Sequence, residues 1–104
     1  MGKFGGYGGG GMNMQQMMKQ AQKMQEQMAR AQQELEEAEV EGSAASGLVT
    51  VTMNGKKKML AVSIDPGAVD PDDLEMLEDL IIAAYNDAYA QAEDMEKQLM
   101  PFQM

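Results

Sequence analysis

The pattern of apolar and polar residues divides the chain into two long helices and a β-rich segment between them. Between residues 12 and 39 the apolar residues recur every seven positions, which predicts a helix with a coiled-coil-like seam. The two seam positions hold Met14, Ala21, Met28 and Leu35, and Met17, Met24, Ala31 and Ala38. At about 1.5 Å per residue this helix is on the order of 40 Å long, which is more than a small sheet can cover.

Residues 47–64 alternate in the manner of two antiparallel strands joined at Asn54-Gly55. This dipeptide favours a two-residue type I′ turn, which would place Val51 opposite Lys58 and Val49 opposite Leu60. Gly47 would then lie opposite Val62. We expect the apolar side of the hairpin to form core or dimer contacts through Val49, Val51, Leu60, Val62 and Ile64.

Two further segments complete the predicted fold. Residues 40–47 are either a linker or a short bulged edge strand, and the strand is favoured because a lone hairpin is marginally stable. A second helix is predicted from about Pro71 to Leu99, with Asp70 as its N-cap and with Leu77 and Ile81 on its core face. Asp87 lies in the middle of this helix, where a polar contact at a helix–sheet or subunit junction is expected.

The fold class that follows is α+β, a long helix, a three-stranded antiparallel β-meander and a long helix. Residues 12–100 are expected to form a single domain, between a disordered Gly-rich tail at residues 1–11 and a C-terminal tail at residues 101–104. The helices are too long for the sheet. They can pair with each other as an antiparallel projection or pair between chains, and either arrangement favours a tweezer-like homodimer with helical arms.

The amino-acid composition excludes several classes of function. The net charge is −9, and the absence of Cys and His removes thiol chemistry, imidazole chemistry and the usual zinc ligands. The acidic run at residues 70–73 lacks the order of ligands in an EF-hand and is better explained by helix capping. We therefore expect no enzymatic activity, no metal, no cofactor, no membrane span and a cytoplasmic location. The many Met residues fit a core or dimer seam, or else an adaptable surface for a protein partner.

The few basic residues fall into two groups. Lys19, Lys23 and Arg30 share one stripe of the first helix, which Glu26 interrupts, and a second cluster, residues 56–58, lies at the hairpin tip. Each group also has a structural explanation that needs no ligand. The helix residues can be solvated surface charge, and the hairpin residues can be a charged sheet edge that blocks aggregation. Acidic residues of the second helix, such as Glu93, would lie close enough to Lys19 in an antiparallel pair to neutralise it.

Six short runs in order resemble the YbaB/EbfC family of bacterial nucleoid-associated proteins over about residues 12–99. These runs are residues 18–25, Gly47-Leu48-Val49, Asn54-Gly55, Ile64-Asp65-Pro66, residues 77–81 and residues 83–88. The resemblance implies a homodimer that binds DNA with weak sequence preference, has no enzymatic activity and is linked to recombination or replication proteins. It implies a nucleoid-associated location and effects on gene expression, nucleoid organisation or DNA repair.

The resemblance also suggests where DNA binds, since the family's arms are thought to contact it. The candidate DNA-binding residues are Lys19, Gln20, Gln22, Lys23 and Arg30, with Lys56, Lys57 and Lys58 as the second basic cluster. The acidic composition argues against non-specific adhesion to nucleic acid. The alternative function is a protein-interaction module that clasps a partner through Met-rich helical arms.

Overall fold

The computed structural model describes the backbone of residues 2–100 and the side chains of residues 13–100. Its elements are helix α1 (Gly2–Glu37), strands β1 (Glu39–Ala44), β2 (Val49–Asn54) and β3 (Met59–Ile64), and helix α2 (Leu74–Leu99). The two long helices and the antiparallel sheet of order β1-β2-β3 confirm the predicted α+β class and the meander. The chain divides into two units, residues 1–30 and residues 31–104. The predicted tail at residues 101–104 lies outside the described residues.

Helix α1 begins ten residues before Met12, the predicted start, and includes the Gly-rich segment. Each Gly in a helix interior costs about 0.8–1 kcal/mol relative to Ala, so this segment has little helix propensity of its own. The side chains of residues 1–12 lie outside the described ones, and disorder of residues 1–11 in solution stays a prediction. The helix ends at Glu37 rather than at residue 39, because Glu39 already pairs in the sheet.

The edge strand favoured over a linker is confirmed as β1, although it is shifted to Glu39–Ala44. Its partner in the sheet is β2, with Val40 opposite Met53 and Gly42 opposite Val51. A short turn follows at residues 45–47, where Ser46 has a φ of 57° and Gly47 a φ of 96°. This tight reversal explains why the strand ends before residue 47, the predicted limit.

The predicted hairpin register is wrong by four residues. Val51 lies opposite Val62 and Val49 opposite Ile64, and a bulge separates these pairs from the pairing of Met53 with Met59. Because four is an even number, Val62 and Ile64 still lie on the same side of the sheet as Val49 and Val51.

The cause of the register error is a longer loop than a two-residue turn. The N–H of Asn54 donates to the carbonyl of Lys58 (2.9 Å), and the N–H of Lys57 donates to the carbonyl of Asn54 (3.0 Å). The Asn54 side-chain oxygen accepts from the N–H groups of Lys56 and Lys58 at 2.9 and 3.0 Å. The left-handed residue is Lys57 (φ 71°), and neither Asn54 nor Gly55 has the positive φ that a type I′ turn requires.

Helix α2 packs against β1 and β2 through small residues. Val49, Val51 and Met53 are fully buried on one side, and Ala84, Ala88 and Ala92 on the other. At Gly42 a Cβ atom would lie 2.3 Å from the Ala88 nitrogen and 2.4 Å from the Ala84 carbonyl oxygen. Only glycine therefore permits this approach of strand and helix.

The same helix covers the outer edge of β1. The Ser43 N–H donates to the Asp87 carboxylate (3.1 Å), and the Gln91 side-chain amide donates to the Glu41 carbonyl (2.8 Å). The expected polar contact of Asp87 at a helix–sheet junction is therefore present. Because backbone groups of β1 are already bonded, β3 provides the more open edge of the sheet.

The N-cap of α2 is Asp73 rather than Asp70. The Asp73 carboxylate accepts from the Met76 N–H at 3.2 Å, and the helix begins at Leu74. Asp70 instead forms a turn, in which its carboxylate accepts from the Asp72 N–H at 2.9 Å. Both are good capping residues, and the turn around Pro71 uses the first of them before the helix starts.

Strand β3 is left uncovered. Helix α2 contacts β1 and β2, whereas all six residues of β3 are exposed. Leu60, Val62 and Ile64 are 46, 42 and 40% exposed, although Val62 and Ile64 lie beside buried valines of β2. Their predicted place in a dimer contact stays a prediction, and in the single chain they are outside the core.

A second small core joins the end of α1 to the end of α2. Ala31, Leu35 and Met100 are buried there, with Met95 and Leu99 packed against them. The hairpin tip closes this core, because the Gly55 N–H donates to the Leu35 carbonyl at 2.8 Å. A Cβ atom on Gly55 would lie 2.8 Å from that oxygen, so this glycine serves close approach rather than turn geometry.

Candidate nucleic-acid interface

The first basic group lies in the unit formed by residues 1–30. Spacings of four and seven residues place Lys19, Lys23 and Arg30 on one stripe of α1, and all three side chains are exposed. Gln20 and Gln22 are also exposed and flank this stripe on either side. None of the three basic residues forms an ion pair with another described side chain. These three basic side chains are therefore accessible to the phosphate groups of a nucleic acid.

Charge is divided unevenly between the two units. Residues 1–30 contain four basic residues and one acidic residue, a net charge of +3. Residues 31–104 contain four basic and sixteen acidic residues, a net charge of −12, and the two values add to the −9 of the whole chain. The acidic composition therefore belongs to one unit, and the exposed basic stripe to the other.

The second basic group is brought together at the hairpin tip, but two of its three ammonium groups already have acidic partners. Lys56 Nζ lies 3.3 Å from Glu36 Oε1 and 3.4 Å from Gln32 Oε1, near the end of α1. Lys58 forms no ion pair within the described part of the chain. Of the predicted hairpin contacts, Lys58 is thus the most available to a phosphate.

Lys57 is the most firmly held of the three. Its Nζ atom lies 3.3 Å from Glu96 Oε1 and 5.1 Å from the centre of the Tyr89 ring, and its side chain is 25% exposed. Burial favours the neutral amine, but the hydrogen bond to Glu96 and its negative charge outweigh this and raise the pKa of the Lys57 ammonium. Lys57 therefore joins the hairpin to α2 as a permanent cation.

The predicted core residues separate into two groups. Val49 and Val51 are fully buried, and Leu77 and Ile81 are partly buried against them. The residues of β3 are exposed, as described above. The sequence reasoning did not find Gln91, Gln32 or the pairing of Glu36 with Lys56, because each depends on elements at least 20 residues apart in the chain.

Within the described residues, no group of three or more acidic side chains is arranged to hold a metal ion. No helix in the described part is long and apolar enough to span a membrane.

Comparisons with known proteins agree with the arrangement of these elements. A nucleoid-associated protein of Clostridium novyi (strain NT) is 57% identical over 86 residues, which cover 83% of this chain and 75% of that protein. A nucleoid-associated protein of Saccharopolyspora erythraea is 54% identical over 92 residues, which cover 88% and 79%.

Among solved structures, an uncharacterized protein from Helicobacter pylori has a similar fold. The TM-score is 0.74 at 20% sequence identity, and the match covers 85% of this chain and 92% of that chain. A family model described as the YbaB/EbfC DNA-binding family matches residues 10–101. The chain belongs to the YbaB/EbfC DNA-binding family.

Proposed function

We propose that this protein binds DNA as a homodimer and contacts the phosphate backbone through the exposed basic stripe of α1. The observation that carries the proposal is the division of charge, +3 in residues 1–30 against −12 in the rest. Lys19, Lys23 and Arg30 supply three of the four positive charges in that segment, and Gln20 and Gln22 supply neutral hydrogen-bond donors. Phosphate contacts carry no sequence information directly, so sequence preference is weak.

The dimer is supported by apolar surface that one chain leaves open. Leu60, Val62 and Ile64 are exposed on β3, and Val62 and Ile64 lie on the face that α2 buries over the neighbouring strands. A second copy would cover this face at little cost, because its apolar side chains already lie in fixed positions on the sheet. Two copies would also present two basic stripes to one duplex.

Membership of the family supports the cellular role that we propose. The relatives from Clostridium novyi and Saccharopolyspora erythraea bear the name nucleoid-associated protein. We assign the same location to this chain, together with effects on nucleoid organisation, gene expression or DNA repair. Recombination or replication proteins are its expected protein partners. The proposal gives the protein a binding role without catalysis.

The test is a salt-titrated binding assay on duplex DNA with two variants of equal charge change. Lys19→Gln with Lys23→Gln removes two positive charges from the basic stripe, whereas Lys97→Glu changes the net charge equally at the end of α2. We expect the double variant to weaken binding and to flatten the slope of log Kobs against log salt by about 0.9 for each lost phosphate contact. The Lys97 variant should bind like the wild type. Equal effects of the two would move the DNA site away from the stripe.

A protein-interaction module is the second candidate function, and the exposed Met side chains of α1 favour it. Met14, Met17, Met18 and Met24 are 56–66% exposed, and flexible thioether side chains suit adaptable apolar contacts. Capture of a protein partner through these residues would be insensitive to salt. DNA retention that disappears near physiological salt, with partner capture unchanged, would favour this candidate over the first.

A further inference from the structure

The Lys56–Glu36 pair at the hairpin tip lies beside an open cleft. The cleft has a volume of about 390 Å³ and is lined by Glu36, Asn54, Lys56, Lys58 and Leu60. Two lysines and one glutamate thus line the same space. The two lysines would attract a negatively charged phosphodiester group, whereas the carboxylate would repel it.

The position of Glu36 is determined by the docking of the hairpin on α1. Leu35 is 1% exposed, and its carbonyl accepts the hydrogen bond from Gly55 at 2.8 Å, so the backbone on both sides of the ion pair is held in place. The ammonium of Lys56 therefore meets Glu36 at 3.3 Å without ordering either backbone segment further. The side chains remain accessible, with Lys56 37% and Glu36 61% exposed.

An accessible ion pair of this kind exchanges readily with a competing anion. Exposed pairs contribute only about 0.2–1 kcal/mol, so a phosphate that also reaches Lys58 can compete with the carboxylate. The Lys57–Glu96 pair differs, because it is less exposed and its ammonium also lies over the Tyr89 ring. Lys56 and Lys58 are therefore the hairpin cations that a ligand can recruit.

We propose that the cleft between Lys56 and Lys58 is a phosphate subsite for the DNA backbone, and that Glu36 acts as an internal competitor for it by pairing with Lys56. The inference rests on the proposed DNA binding and adds its regulation. With Glu36 charged, a phosphate must displace the carboxylate from Lys56, which weakens the contact at the hairpin. Loss of that carboxylate charge releases Lys56, and the protein then gains a phosphate contact at a second position.

The experiment compares Glu36→Gln with Glu37→Gln on full-length protein and a duplex oligonucleotide. Both variants remove one carboxylate from the same turn of α1, but Glu37 is exposed and has no ion pair within the described residues. The Glu36 variant should bind up to about fivefold more tightly than the Glu37 variant, the factor that corresponds to the upper value for an exposed ion pair. Its salt slope should steepen by about 0.9 for each new phosphate contact.

A double-mutant cycle identifies the lysine. The gain from Glu36→Gln should disappear in a Lys56→Gln background, because the phosphate contact that Glu36 opposes is then lost. Equal affinities of the Glu36 and Glu37 variants, or a gain that persists without Lys56, would overturn the inference while the binding of the wild type upholds the proposed function. Absence of DNA binding by the wild type and all variants would overturn both.

Discussion

Gly42 is the position at which the strand–helix packing can be tested most directly. A Cβ atom there would lie 2.3 Å from the Ala88 nitrogen, 2.4 Å from the Ala84 carbonyl oxygen and 2.8 Å from the Ala88 Cα atom. All three are backbone atoms of α2, which no side-chain rotation can move. Ordinary van der Waals contact begins at 3.4 Å, so β1 and α2 would have to separate by about 1 Å in Gly42→Ala.

The expected loss follows from what that separation disturbs. Overpacking of a core costs typically about 1–3 kcal/mol, and replacing Gly by Ala returns about 0.4–1 kcal/mol through the unfolded chain. Because the neighbouring atoms are rigid, we expect the overpacking cost of Gly42→Ala near the upper end of its range. The net loss in the free energy of unfolding is then about 2 kcal/mol. The hydrogen bonds from Ser43 to Asp87 and from Gln91 to Glu41 would lengthen as well, since both span this interface.

Urea denaturation followed by circular dichroism at a fixed protein concentration would measure this loss, since stability of a dimer depends on concentration. Gly67→Ala is the matched control, because the nearest atom to its new Cβ is a side-chain oxygen of Asp65 at 3.1 Å, which has to shift by only a few tenths of an ångström. Adding Ala88→Gly should not restore stability, because the clashes involve backbone atoms. A Gly42 variant as stable as the Gly67 variant would refute the close approach of β1 and α2.

Two further predictions concern the N-terminus of α2 and the open face of β3. Asp73→Ala should lower the free energy of unfolding by about 1 kcal/mol through loss of the helix cap, and Asp70→Ala should cost less; the reverse order in thermal denaturation would restore Asp70 as the cap. Val62→Asp should convert the proposed dimer to a folded monomer in light scattering, whereas Ser63→Asp, on the opposite face of the same strand, should leave the proposed dimer intact. A dimer that survives Val62→Asp would place the interface elsewhere.

Local patterns in the sequence were sufficient to predict the secondary-structure elements and their order along the chain. The seven-residue period of α1, the alternation of β2 and β3 and the apolar stripe of α2 each depend on residues close together in the chain. They predicted two helices, three strands and the buried valines Val49 and Val51, all of which the structure contains.

The errors occurred where several signals compete for one residue. Asn54-Gly55 carries a strong turn signal, but the Asn54 side chain bonds two later N–H groups and Gly55 is used for contact with Leu35. The loop is therefore longer than the predicted two-residue turn, and the strand register differs from the predicted one as a result. The pairing of Lys56 with Glu36 and of Lys57 with Glu96 was equally beyond reach, because it depends on where the helix ends meet the hairpin.

The division of charge explains how an acidic chain can be suited to DNA. At physiological ionic strength charges separated by more than about 8 Å are largely screened from each other, so a phosphate responds to its immediate neighbours rather than to the net charge. Around the basic stripe those neighbours are Lys19, Lys23 and Arg30 together with Glu26, the single acidic residue of residues 1–30. The sixteen acidic residues of the other unit oppose DNA contact there, and Glu36 extends that opposition to Lys56. On the proposed function, acidity limits where DNA binds rather than whether it binds, and neutralising Glu36 should relax that limit at the hairpin.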